Sequence, residues 1–134
     1  MSGETDLAKL LAGLDPELHA GEYVFVTSPD RSTPPDVEPL LIFEEPEGRT
    51  LVLPRERAEA AGLEFAFPSA WIVLRIHSAL EAVGMMAAIS TALAGAGISC
   101  NVVSAYHHDH LFVPRDRADE AVAILRGLGR DGAR

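Results

Sequence analysis

Apolar residues recur along the chain at two spacings. Steps of two and short apolar runs indicate β-strands, whereas steps of three and four indicate amphipathic helices. Strands are predicted at Tyr23–Thr27, Leu40–Glu44, Thr50–Leu53, Leu63–Phe67 and Trp71–Ser78, with a strand pair within residues 97–114. Helices are predicted at Thr5–Leu14, from Arg55, from about Glu81, and from Asp116 to about Leu128.

The last predicted helix has its apolar stripe at Ala118, Ala121, Val122 and Leu125. Glycine is common just beyond a helix, so Gly127 and Gly129 are expected to end it. The N-terminal helix presents four leucines on one face, which are Leu7, Leu10, Leu11 and Leu14.

The chain contains an internal repeat. "TLVLPRERAEAAGL" resembles "HLFVPRDRADEAVAIL" at an offset of 60 residues, and "VFVTS" resembles "VLRIHS" at an offset of 50. The second copy contains the apolar segment "ALEAVGMMAAISTALAGAG", which predicts a helix, where the first has only "PDRSTPPDVE". Pro29, Pro34 and Pro35 exclude a helix there because proline removes a backbone donor and fixes φ.

This order of elements predicts an α+β fold. Two tandem βαββα units would each form part of a ferredoxin-like αβ sandwich, in which helices cover one face of an antiparallel sheet. The first unit would lack its first helix. The expected domains are residues 1–68, with the N-terminal helix, and residues 69–134.

The charge and composition of the chain argue against several functional classes. The net charge is −9 and no Lys/Arg cluster occurs, which argues against nucleic acid as a partner. The start "MSGETDLAKL" lacks the features of a signal peptide, and no apolar run is long enough to cross a bilayer. The single Cys100 fits a reducing compartment, and we expect it to be a small core residue. A cytoplasmic protein without membrane contact or cofactor is expected.

The segment "HSALEAVGMMAAISTALAGAGISCNVVSAYHHDHLFVP" resembles the ACT domains, and most of all the short bacterial proteins built from two ACT-like halves. The resemblance lies in Gly84 opening a helix, the "GI" restart at Gly97–Ile98 and the "HDHLFVP" strand. It implies a module without catalysis that binds an amino acid between paired domains and regulates a partner enzyme. Open sheet edges of this fold favour pairing, so a homodimer is also expected.

The turn "HSALEAVG" is the best candidate for the ligand site. Backbone N–H groups at a helix start are unpaired and can receive a carboxylate, and glycine allows close approach. Asn101, on the adjoining strand, offers both a donor and an acceptor. The predicted ligand-binding residues are Ser78, Leu80, Glu81, Val83, Gly84, Asn101 and Val102, with His108 and His110 as a second tier.

The run His107-His108-Asp109-His110 leaves alternatives open. On a strand, His108 and His110 would share one face, and His107 and Asp109 the other. A structural role is favoured and ligand recognition comes next. Metal binding or catalysis is disfavoured, because a closed zinc site needs four ligands and no nucleophile lies nearby in sequence.

Two rival hypotheses therefore accompany the regulatory one. The first is a small metal protein or enzyme that uses His107–His110, with His77 as a further group. The second is a ligand-free interaction module that docks onto an enzyme. Trp71 is expected to be buried between the halves or at a dimer seam, and the proline-rich loop is interpreted as a connector.

Overall fold

The computed structural model describes residues 6–76, 79 and 82–132, the side chains of the last two of these excepted. The strands are β1 (Pro16–Leu18), β2 (Tyr23–Ser28), β3 (Leu41–Glu45), β4 (Gly48–Pro54), β5 (Ala66–Leu74), β6 (Asn101–Ser104) and β7 (Asp109–Pro114). The helices are α1 (Leu7–Ala12), α2 (Arg55–Ala60), α3 (Met85–Gly95) and α4 (Ala118–Gly132), and a 3₁₀ turn, Arg115–Arg117, precedes α4.

The chain divides into two compact units. The inserted unit is Ala20–Ser69, and the terminal unit joins Met1–His19 with Ala70–Arg134. This grouping differs from the predicted division at residues 68 and 69, because it moves the N-terminal segment to the C-terminal half. The reason is burial, since Leu10 and Leu14 belong to the hydrophobic core of the terminal unit.

In the inserted unit the strand order is β3-β4-β2-β5, in which β5 contributes residues 66–69. The β2–β4 pair is antiparallel and continuous from Tyr23 opposite Pro54 to Ser28 opposite Arg49. Every residue between Ser28 and Leu41 is described and none is helical, which confirms that this unit lacks its first helix. Helix α2 begins directly after Pro54, as the repeat predicted.

The terminal unit has the complete βαββα order β5-α3-β6-β7-α4, in agreement with the prediction. Its strands lie in the order β1-β5-β7-β6. Strand β1 pairs antiparallel with β5, from Pro16 opposite Leu74 to Leu18 opposite Ile72. The N-terminal segment therefore supplies the fourth strand of this sheet. Sequence patterns did not predict β1, because three residues are too few for a periodicity.

Strand β5 corrects one prediction, since the two strands expected at Leu63–Phe67 and Trp71–Ser78 are a single strand that passes through Pro68. The pairing with β2 shifts register between Tyr23 and Phe25, and Phe67 has a φ of 56°. A bulge of this kind accommodates proline in a strand because the unpaired residue needs no ladder hydrogen bond.

Both long helices differ from their predicted bounds. Helix α3 begins at Met85 and not at Glu81, after Gly84 in a left-handed conformation with φ 97°. The buried stripe predicted for α4 is confirmed, but the prediction that Gly127 and Gly129 end it is wrong, because α4 continues to Gly132. A Cβ on Gly129 would lie 3.2 Å from the carbonyl oxygen of Leu11, so glycine permits close packing of α4 on α1.

The core of the terminal unit joins four elements. Leu10 from α1, Ile72 from β5, Ile89 from α3 and Leu125 from α4 are all fully buried in one cluster. Burying such a side chain contributes about 1.5–3 kcal/mol. The N-terminal helix is thus an integral part of this unit.

Candidate functional site

A small cleft lies where α3 begins, and we call it the α3 cleft. It encloses about 110 Å³, which is room for about four water molecules at ~30 Å³ each. Its lining includes Ala79, Gly84, Met85, Ser104, Ala105 and Asp109.

The backbone at Gly84 gives this cleft one of its walls. The left-handed φ of 97° turns the chain into α3, and the Gly84 carbonyl accepts the helical hydrogen bond from Ala88 N–H at 3.0 Å. The N–H groups of the first helical turn have no partner within the helix, and they form the positive end of its dipole. A negatively charged group is therefore favoured at this position.

Asp109 contributes a carboxylate to the same cleft. It is the first residue of β7 and lies opposite Ser104 of β6 in the strand register. Only 5% of Asp109 is exposed. The Ala105 N–H donates to the His108 carbonyl at 3.0 Å and closes the turn between the two strands. The turn thus places a largely buried acidic residue in the same cleft as the start of α3.

The predicted ligand residues of the turn are only partly described. Ser78, Leu80 and Glu81 lie outside the described residues, as does His77. Gly84 lines the α3 cleft as expected, whereas the neighbouring Val83 is 82% exposed and is not part of the lining.

The predicted residues of β6 lie farther along the sheet. Asn101 is opposite Phe112 and Val102 is opposite Leu111, at the other end of β6 from Ser104. The structure does not place them in the lining of the α3 cleft. Sequence reasoning missed Ser104, and it weighed Asp109 only as part of the histidine run. The alternation of side chains along a strand could have drawn attention to Asp109, because it places Asp109 on the face opposite His110.

The histidine run is not one continuous strand, as the alternation argument assumed. Strand β7 begins at Asp109, so His107 and His108 belong to the preceding turn. His107 is exposed and contacts the Tyr106 ring edge-on, with centroids 4.9 Å apart. His108 places Nδ1 3.5 Å from the carbonyl oxygen of Ile76. The four residues consequently face different surroundings.

His110 is held by Trp71. The indole Nε1–H donates to His110 Nδ1 at 3.1 Å, and the His19 ring stacks on the indole with centroids 3.9 Å apart. Burial, and then the neighbouring His108, lower the pKa of His110, while Asp109 acts in the opposite direction. Trp71 is half-buried in the single chain, and its expected burial between the halves or at a dimer seam stays a prediction.

The described residues offer little for metal or thiol chemistry. Within residues 6–76, 79 and 82–132, no three His, Cys, Asp or Glu side chains are grouped as metal ligands. Burial raises the pKa of the half-buried Cys100 thiol to about 11. Few thiolates exist at neutral pH under these conditions, so Cys100 is a poor nucleophile.

No helix within the described part of the chain has the length and apolar character needed to cross a bilayer.

Two family models, both described as "ACT domain", match the chain. The first covers residues 2–70 and the second covers residues 66–127. Comparison with curated proteins finds no significant match.

Several solved structures are similar to most of the chain. A crystal structure from Vibrio cholerae, of a protein of unknown function described as a possible transport protein, is 45% identical with a TM-score of 0.81; the match covers 92% of this chain and 95% of that one. A protein from Agrobacterium tumefaciens is 18% identical with a TM-score of 0.67, over 85% and 87% of the two chains.

The regulatory subunit of aspartate kinase from Thermus thermophilus is a further neighbour. It is 11% identical with a TM-score of 0.55, over 84% of this chain and 95% of that subunit. At such identities the likeness is one of fold.

Proposed function

The chain belongs to the ACT domain family, and from that premise we propose that it is a regulatory module that binds a small amino acid and has no catalysis of its own. The family membership of both halves carries this proposal. No catalytic family is indicated by either match. The regulatory subunits with the same fold support the assignment by analogy only.

The chemistry of the α3 cleft supports an amino acid as the ligand. The lining of the cleft includes Gly84 and Met85 at the positive end of the α3 dipole as well as the acidic Asp109, so the cleft contains groups of both signs of charge. A molecule that carries a carboxylate and an ammonium group complements such a pair. The volume of about 110 Å³ favours a small side chain. Ser78, Leu80, Glu81 and Val83 surround the start of α3 in sequence and remain our proposed contacts, together with Gly84.

The regulation would follow from differential binding. A ligand shifts an equilibrium between two arrangements only as far as its affinities for them differ. We propose a homodimer as the responding assembly, because β6 lies at the end of the strand order of the terminal unit. A partner enzyme would then bind one arrangement better than the other. Asn101, Val102, His108 and His110 are proposed as residues of such an interface or of the ligand site.

Thermal unfolding in the presence of each of the twenty amino acids tests the proposal. A ligand at 100 times its dissociation constant adds about 2.7 kcal/mol of stability, which is a measurable rise in Tm. The expected result is a shift with one or a few small amino acids. Asp109→Asn should abolish the shift, and Asp119→Asn is the matched control because Asp119 is exposed on α4.

The outcomes separate the three hypotheses. Ser104→Ala provides a second probe of the cleft if Asp109→Asn does not fold, which circular dichroism would reveal. The absence of a shift with any amino acid would favour the ligand-free interaction module. The hypothesis of a metal protein would be favoured if the purified protein contained metal and lost it when His108 and His110 were changed to Ala. Sedimentation at several concentrations tests the homodimer separately.

A further inference from the structure

The segment that replaces the missing helix in the inserted unit leaves an open space on the sheet. Residues 29–40 cover the face of β2 and β4 without forming regular structure. Val37 is 1% exposed and packs with Val24, Val26 and Leu51. Val37 joins the apolar core of the unit, and polar contacts also fix the loop: Arg49 donates to Thr33 Oγ1 and Arg57 donates to the Asp36 carbonyl oxygen.

A cavity of about 400 Å³ remains beside this loop, and we call it the loop cavity. Val26 and Leu51 lie beneath it in the packed core and present almost no surface to a ligand, at 4% and 0% exposure. Leu63 and Pro34 add further apolar surface. The interior thus suits an apolar group of several carbon atoms.

The polar end of the loop cavity is built around Asp30. Its Oδ1 accepts a hydrogen bond from the backbone N–H of Ser32 at 3.0 Å and lies 3.0 Å from Ser28 Oγ. Hydrogen bonding by Ser32, and then by Ser28, lowers the pKa of Asp30. The carboxylate is therefore charged and held in one orientation, with both contacts on the same oxygen.

The nearby cations are engaged elsewhere. Arg31 binds Glu44 and the Glu45 carbonyl oxygen, and Arg49 makes a two-point contact with Glu44. Within the described part of the chain, no ion pair involves Asp30. The residues lining the loop cavity include no Lys, Arg or His.

We propose that the loop cavity binds a primary amine with an apolar tail, whose ammonium group contacts the carboxylate of Asp30 and whose tail lies against Leu63 and Pro34. The lining contains an acid and no cation, so it offers no partner of opposite charge to the carboxylate of an amino acid. The loop cavity therefore differs in ligand chemistry from the α3 cleft, and its ligand is independent of the proposed amino-acid regulation.

Binding of n-hexylamine to the full chain, measured by NMR chemical-shift titration, tests the proposal. The expected result is saturable binding that shifts resonances of residues 26–34. Hexanol, hexanoate and leucine serve as probes of the charge requirement. Loss of an exposed ion pair predicts affinity for hexylamine that is lower by up to about fivefold in Asp30→Asn. Asp36→Asn, in the same loop but outside the lining, is the matched control and should bind like the wild type.

Leu63→Phe is a second variant that keeps the carboxylate and fills the apolar end. It should bind hexylamine at least about tenfold more weakly while it retains the wild-type fold by circular dichroism. Three outcomes would each overturn the proposal. Asp30→Asn could bind hexylamine as tightly as the wild type does, hexanoate could bind as tightly as hexylamine, or binding of hexylamine could fail to saturate. If Asp30→Asn does not fold, unchanged binding by Leu63→Phe overturns it as well.

Discussion

The indole Nε1–H of Trp71 donates its hydrogen bond to Nδ1 of His110, with 3.1 Å between the two nitrogens. An imidazole nitrogen accepts only when it carries no proton, so this bond requires the neutral tautomer with hydrogen on Nε2. Protonation of His110 turns Nδ1 into a donor and breaks the contact. The groups that act on His110 are His108, Asp109, His19 and Arg75.

The terminal unit is therefore expected to lose stability on acidification. Because the pKa of His110 is lowered in the folded state, the unfolded chain binds its proton first as the pH falls below about 6.5. The free energy of unfolding then decreases with falling pH, until the pH drops below the folded pKa. Urea unfolding between pH 8 and 5 measures this slope, and the single Trp71 reports it by fluorescence.

His110→Asn isolates this contribution. The asparagine side chain offers an acceptor near the position of Nδ1 but does not titrate, so the slope against pH should become shallower. His107→Asn is the control because His107 is exposed. Equal slopes for the wild type and both variants would contradict the role assigned to His110.

A second prediction concerns the N-terminal helix. Leu10→Ala should lower the free energy of unfolding by about 2–5 kcal/mol, because Leu10 is fully buried in the core of the terminal unit. Urea unfolding followed through Trp71 is the appropriate measurement, since Trp71 belongs to the same unit. Leu7→Ala, at a position 40% exposed, should cost less than about 1 kcal/mol. A small effect of Leu10→Ala would contradict the integration of α1 into this unit.

Sequence patterns predicted most of the fold, and the exceptions have physical causes. The repeat identified both units because strand, proline and helix recur at one spacing. Local periodicity carries no information on which distant segment a leucine stripe meets, so the placement of α1 and β1 was not predicted. The prediction that glycines end α4 was wrong because helix propensity contributes less than tertiary packing. Here that packing is the close approach of Gly129 to Leu11.

A third prediction compares two glycines. Gly84→Ala should destabilise the protein by about 1–2 kcal/mol, because φ 97° is unfavourable for a residue with a Cβ atom. Gly95→Ala should instead stabilise by up to about 1 kcal/mol, since a Cβ there meets open space and alanine favours the helix. Chemical unfolding of the two variants checks both signs. Equal effects would contradict the conformation assigned to Gly84.

A fourth prediction concerns the single cysteine. With a pKa of about 11, Cys100 should react with iodoacetamide at pH 7.5 about two orders of magnitude more slowly than an ordinary exposed thiol. Mass spectrometry of the native protein over time gives the rate. The same measurement in 6 M urea should restore ordinary reactivity, so a fast native reaction would contradict the burial of this thiol.

The candidate site was less predictable than the fold. Gly84 was found because a glycine before a helix has a local signature. Whether Ser104 and Asp109 line the α3 cleft depends on the register of β6 with β7 and on the residue at which the turn between these strands ends. A one-residue change in that turn exchanges the faces of the strand. The histidine-rich pattern identified the segment His107–His110 as a candidate, but it did not identify Asp109 as the buried acidic residue of the cleft.

The terminal unit is built from two separate segments of the chain, and this affects the order in which its parts can fold during synthesis on the ribosome. Synthesis runs from the N-terminus, so the leucines of α1 and the short strand after it emerge before the inserted unit, while α4, which packs on them, emerges after it. The inserted unit, by contrast, is contiguous. The leucines of α1 therefore complete their packing only after the inserted unit and α4 have been made.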